Sequence, residues 1–214
     1  MESVQVKQTK PKAPKAPKAK PTEANPLQTI AQIHERFLPL IGTEHNLPVS
    51  RNKGLPGQFL ETLLGIPHSS NCLDCSDGEL KLFPVKQLKN KKIVPKETIA
   101  VTMLNTDELI AHTFAESKCC KKMCKMLLVP YYRTGATIRF LTPKIIERTE
   151  FPAIYDILEA DYNLIKQSYI ETGKLQSRTG TLLQNRTKGA GHGSTSRAFY
   201  LRPEFMKRCL ELSL

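Results

Sequence analysis

Glu79-Leu80-Lys81-Leu82 is the stretch that most narrows what this chain can become. Charged and apolar side chains alternate, and a period of two marks a β-strand. A strand over 78–85 turns Leu80 and Leu82 into a core and leaves Glu79 and Lys81 on the other face, about 7 Å apart. Alone, the pair also fits a solvated surface. With a carboxylate upstream it suits metal-assisted hydrolysis: Glu79 and an aspartate can hold a divalent cation, which acidifies a bound water and neutralises phosphate. Lys81 can orient that water and stabilise charge building on phosphorus. Asp74 is the preferred partner carboxylate. Asp77, two residues before Glu79 but beside Gly78, reads better as a turn residue and stands as the alternative.

Charge sets the class of partner. The chain has 214 residues, 32 Lys+Arg and 20 Asp+Glu, for a net charge of +12, which points to a polyanion. Six lysines (Lys7, Lys10, Lys12, Lys15, Lys18, Lys20) and five prolines fall within residues 1–26. That segment lacks the apolar surface to offset its ordering entropy and reads as a disordered basic arm. It would serve as a DNA tether, a nuclear-targeting signal or a solubilising tail. Residues 27–214 keep a net charge of +8 and read as a single domain. No membrane span or secretory h-region is visible, and the six cysteines do not form a small disulfide scaffold, so an intracellular setting with reduced thiols is expected.

Strands and helices are mixed along the body. Asn25 and Pro26 fit the start of a helix carrying Leu27, Ile30, Ile33 and Phe37 on one face. A second helix is expected over 58–64, stopped by Gly65, with Glu61 interrupting its apolar face beside Leu60 and Leu63. A carboxylate there needs a partner or a metal, unless it projects at the helix edge. Strands are expected over 98–104, with Ile99, Val101 and Met103 on one face, and over 126–132, 136–141, 182–186 and 198–201. Helices are expected over 107–115, 152–172 and 203–212. The class is α/β or α+β with a central sheet.

Arg178, Arg186, Lys188, Arg197 and Arg202 cluster near Phe199 and Tyr200, which suits a DNA groove or backbone track as well as an ordinary basic surface. Cys72 and Cys75, with Cys119, Cys120 and Cys124, lack paired zinc-knuckle spacing and read as free thiols. The five histidines show no metal spacing, and His192 lies in a Gly/Ser-rich loop.

Lys53, Gly54, Gly57, Leu60 and Glu61, then Asp74, then Glu79, Leu80, Lys81, Pro84 and Val85 follow an order that resembles the MutH family of endonucleases, which includes the Sau-type restriction enzymes that cut at GATC. The similarity continues through Lys121 to Pro130, Gln184 to Lys188 and Arg197 to Phe205, and so spans roughly residues 50–210. The resemblance implies a restriction-endonuclease-like PD-(D/E)xK fold, a mixed central β-sheet flanked by helices. It implies Mg2+-dependent hydrolysis of double-stranded DNA at a short, methylation-sensitive site, GATC by family default. Carried over, Asp74 and Glu79 are metal ligands, Glu61 supports the metal site, Lys81 is the catalytic lysine and Lys122 an auxiliary one. Arg186 and Lys188 read bases, as Arg and Lys suit guanine, and Tyr200 contacts DNA near the adenine. Arg197 and Arg178 belong to the same surface. Asp74 and Glu79 stand closer in sequence than the family's spacing, which keeps Asp77 as an alternative, and Thr187 replaces a family proline.

The expected activity is that of a type II site-specific deoxyribonuclease, with a mismatch-repair nicking endonuclease and a catalytically silent DNA-binding protein as alternatives. One active site cuts one strand per event, so double-strand cleavage implies a transient homodimer on DNA or two nicks. A restriction role implies a partner DNA methyltransferase and the cytoplasm of a prokaryotic host or virus-infected cell; the basic arm also leaves a nuclear address open.

Overall fold

The computed structural model describes residues 27–50, 52–67, 71–188, 195–210 and 212. The basic arm over 1–26, the start of the first helix at Asn25 and Pro26, and His192 lie outside the described residues.

The central sheet is built around two parallel strands, β2 (Glu79–Gln87) and β5 (Lys125–Thr134). The other partners are antiparallel: β3 (Ile93–Pro95) on β2, and β6 (Thr137–Phe140) and β7 (Lys144–Glu147) on successive halves of one edge of β5. β1 (Glu44–Asn46) completes the edge beyond β6. The sheet is therefore mixed, as expected. A second sheet of three antiparallel strands has the order β4 (Ile99–Leu104), β9 (Arg197–Leu201), β8 (Leu183–Thr187).

Both faces of the central sheet are buried. Leu80, Leu127 and Val129 pack with α1 (Ile30–Phe37) and α2 (Leu55–Leu64). Phe83, Val85, Met126 and Leu128 pack with the smaller sheet, α5 (Pro152–Thr172) and α6 (Pro203–Cys209). Burial on two faces explains why residues 126–129 are continuously apolar rather than alternating.

Local chemistry moved several expected boundaries. α1 begins where Thr29 and Gln32 form a reciprocal capping box. α2 starts at Leu55, because Pro56 is accommodated in the first turn, and ends as expected at left-handed Gly65. Leu63 is exposed while Leu60 and Leu64 are buried, so the apolar face that Glu61 borders is narrower than expected. α3 (Thr106–Ala111) is capped by Asn105 and stops short of residue 115, and α6 ends at Cys209 rather than at 212. A separate short helix follows, α4 (Lys118–Met123), capped by the Ser117 hydroxyl. In β4 a bulge between Ala100 and Thr102 inserts one residue against β9. The bulge shifts the alternation, so Ile99 and Val101 are buried but Met103 is exposed.

Candidate active site

β2 presents Glu79 and Lys81 on one face, and parallel pairing sets the rest of the site. The starts of β2 and β5 lie side by side, with Glu79 opposite Met126. α4 runs directly into β5, which delivers Lys122 to the start of β2. The crossing is tight at Gly78: a Cβ there would stand 2.5 Å from the Lys125 carbonyl oxygen and 2.7 Å from Ile30. Any larger residue would push the two strand starts apart.

Glu79 is fully buried. Its Oε2 accepts a hydrogen bond from Lys81 Nζ and its Oε1 one from Lys122 Nζ. Asp74 reaches the same place from the preceding loop. Its Oδ2 accepts from the Leu80 backbone N–H at 3.2 Å and lies 3.8 Å from Lys81 Nζ. Two carboxylates and two ammonium groups thus converge, with Asp74 33% exposed at its side chain and the lysines 16% and 18%. Burial pushes the Glu79 carboxyl above its ordinary value; Lys81 and Lys122 oppose the shift and the Asp74 carboxylate adds to it. Pairing on both oxygens offsets part of the cost of burying a carboxylate there.

Asp77 is committed elsewhere. Its Oδ1 accepts from the Ile30 N–H at 2.7 Å, and its Oδ2 pairs with Lys125 Nζ at 3.0 Å. Desolvation opposes, but these bonds win and hold its carboxyl below the usual range. The loop therefore divides its aspartates: Asp74 joins Glu79, and Asp77 ties α1 to β5. Glu61 sits half-buried on α2.

Among the described residues, no group of three or more His, Cys, Asp or Glu is gathered to hold a metal. Two converging carboxylates nonetheless fit a hard divalent cation, which is commonly held by one or two carboxylates plus waters and phosphate oxygens. All six cysteines are free.

The basic residues of the C-terminal quarter lie on and beside β8 and β9. Exposed Arg186 and half-buried Tyr200 share a face, with the guanidinium 5.7 Å from the ring centroid and Nη1 donating to Thr98 Oγ1 at 3.2 Å. Lys188 follows the end of β8, and Arg178 is exposed in the turn before it. Strand alternation puts Arg197 on the opposite face, where Nη1 donates to Oδ1 of fully buried Asn185 at 2.8 Å. The sequence grouped Arg197 with Arg186; the fold separates them.

Asp161 was missed at the level of sequence. Buried on α5, it accepts the backbone N–H groups of Thr181, Leu182 and Leu183 at 2.6–2.8 Å and so fixes the entry to β8. Gly180 makes the approach possible, with φ +90° and space only for hydrogen beside the Leu183 carbonyl. The signal was present: Asp161 shares the apolar stripe of Leu158, Tyr162 and Ile165.

The family model described as DNA mismatch repair enzyme MutH matches residues 69–168, a span that holds Asp74, Glu79, Lys81 and Lys122. No curated protein matches the chain at a significant level. A mixed sheet flanked by helices, an acidic–lysine strand at its centre and this match agree: over residues 69–168 the chain is similar to the MutH family of DNA endonucleases, and its mixed sheet is consistent with the fold of that family's PD-(D/E)xK superfamily.

Proposed function

We propose that the protein is a Mg2+-dependent, sequence-specific DNA endonuclease of restriction type, with GATC as its default site and sensitivity to methylation there. The observation that carries this reading is Glu79, fully buried with an ammonium on each carboxylate oxygen and Asp74 beside it. A divalent cation would be held by Asp74 and Glu79, with Glu61 as the supporting carboxylate from α2. When bound, it supplies charge neutralisation at the phosphate and a water of lowered pKa.

The chain's own residues do the rest. Asp74 is kept in place by the Leu80 N–H, so the two carboxylates need no reorganisation to meet. Lys81 stands between them, positioned to orient the attacking water and to stabilise the negative charge that grows on phosphorus. Lys122 holds the second Glu79 oxygen and adds positive charge beside the scissile phosphate. Arg186 and Lys188 read bases, with Tyr200 beneath the Arg186 guanidinium and in contact near the adenine. Arg178 contacts the backbone, and Arg197 braces β8 through Asn185. The net charge of +12 fits double-stranded DNA as partner. A restriction role adds a cognate DNA methyltransferase, pairing of two copies on DNA for double-strand cleavage, and an intracellular location. No described helix is long and apolar enough to cross a membrane.

The experiment is cleavage of plasmid DNA prepared with and without adenine methylation at GATC, in Mg2+, with the product ends sequenced. Discrete ends at one short site, changed by methylation, are expected. Nicks restricted to one strand of hemimethylated DNA would replace the restriction reading with a repair nickase. Binding without cleavage on every substrate would replace it with a silent DNA-binding protein.

A further inference from the structure

Cys120 and Cys124 stand one helical turn apart, within α4 and at its C-cap, with their sulfurs 3.8 Å from each other. The Cys124 N–H donates to the Cys120 carbonyl at 2.9 Å, so the intervening turn is helical. Two Cα atoms four residues apart in a helix are roughly 6 Å apart, within the span of about 4.4–6.8 Å that a disulfide bridges, but their Cβ atoms stand about 5–6 Å apart and must close to about 4 Å, so forming the bond distorts this turn. Cys120 is buried and Cys124 half-exposed, which gives one sulfur that solvent reaches and one that waits behind it. Arg148 lies against the pair: its Nη1 is 3.7 Å from Cys120 Sγ, and its N–H donates to the Cys124 carbonyl at 3.0 Å.

Lys122 lies midway between the two cysteines. Two residues of helix place it about 200° round the axis from Cys120, on the side that reaches Glu79. A covalent bond across one side of this turn therefore acts on the direction of the lysine on the other.

We propose that Cys120 and Cys124 form a peroxide-sensitive thiol pair whose disulfide displaces Lys122 from Glu79 and slows DNA cleavage. The Cys124 thiolate attacks a peroxide oxygen; the S–O bond forms, the O–O bond breaks, and hydroxide leaves. Cys120 then attacks the sulfenic sulfur; the S–S bond forms, the S–O bond breaks, and the second oxygen leaves as water with the Cys120 proton. Two thiols are oxidised, and hydrogen peroxide is reduced to two waters. The hydrogen bond shared by the two sulfurs and the Arg148 charge lower the Cys124 pKa, while burial holds Cys120 up. This is the asymmetry that an attacking and a resolving sulfur require. Cys119, buried with no such partner, is pushed up by burial alone. The effect on cleavage rests on the role proposed for Lys122; formation of the bond does not.

The test treats reduced full-length protein with hydrogen peroxide and follows two readouts. Mass spectrometry is expected to show loss of two hydrogens and a Cys120–Cys124 linkage, reversed by dithiothreitol. DNA cleavage is expected to fall by about tenfold to a hundredfold, the latter being the scale of a 1 Å misplacement, and to recover with the reductant. Cys124→Ser, or Cys120→Ala if the first variant folds poorly, is expected to keep its cleavage rate under peroxide. No linkage in the wild type overturns the thiol pair. A linkage with cleavage unchanged, or equal inhibition of Cys124→Ser, overturns its coupling to Lys122. If the reduced protein cleaves no DNA, that coupling falls together with the nuclease reading, and the mass measurement alone judges the bond.

Discussion

Lys122 donates to Oε1 of Glu79 across 43 residues of chain, from a helix to the strand beside the one it enters. Nothing local joins them; parallel pairing of β2 and β5 does. Lys122→Ala leaves Glu79 with Lys81 as its remaining ammonium contact. Its single-turnover cleavage rate is expected to fall by about 10²–10³-fold, with DNA affinity nearly unchanged. Rapid-quench cleavage beside a filter-binding isotherm separates the two quantities. Loss of affinity with an unchanged rate would make Lys122 a DNA anchor.

The two aspartates of the loop are expected to differ in their effect on cleavage. Asp74→Ala removes the half-buried partner of Glu79 and should abolish cleavage, at a stability cost of about 1 kcal/mol for the lost acceptor of the Leu80 N–H. Asp77→Ala removes the acceptor of Ile30 N–H and should cost about 1 kcal/mol in urea unfolding, while cleavage persists. The lowered pKa of Asp77 fixes the sign with pH: its stabilisation is present above the ordinary aspartate value of 3.8 and fades as pH falls through the lower folded value. The stability difference between wild type and Asp77→Ala should therefore narrow only in strong acid.

Asp161→Ala strands three backbone N–H groups, those of Leu182 and Leu183 in a buried place and that of Thr181 at its edge. A loss of about 2 kcal/mol or more is expected from the two buried unmet donors alone. Because those donors open β8, Arg186 and Lys188 should lose their alignment, and specific DNA binding should weaken more than binding to random sequence. Competition titrations with the two DNAs check the difference.

Arg186→Ala is expected to cost about 1–3 kcal/mol of discrimination at one base pair. Arg186→Lys should not restore it, because a lysine cannot reproduce the planar fork over Tyr200. Sequencing of cleavage products from a randomised site reads this directly.

What could be read beforehand follows the range of the forces involved. α5 was legible to its ends because 21 residues of periodic pattern, Pro152 at one end and Gly173 at the other leave little choice. The Glu79–Lys81 face was legible because alternation is local, and the division between Asp74 and Asp77 was legible as a preference for the turn. The β4 bulge was not, since it is imposed by register with β9, nearly 100 residues later. α4 was hidden because its six residues carry three lysines and two cysteines and no full apolar stripe. Arg197 was misgrouped because adjacency in sequence says nothing about which strand face a side chain takes until the strand is placed.

The central claim is that buried Glu79 serves a divalent cation in cutting DNA. The direct measurement is cleavage of supercoiled plasmid by wild type and Glu79→Gln, each in Mg2+ and in EDTA, with DNA binding recorded in parallel. Cleavage by wild type in Mg2+ alone, with Glu79→Gln inactive but still bound to DNA, is the predicted result. Cleavage that survives EDTA, or a Glu79→Gln protein that cuts at the wild-type rate, would contradict it.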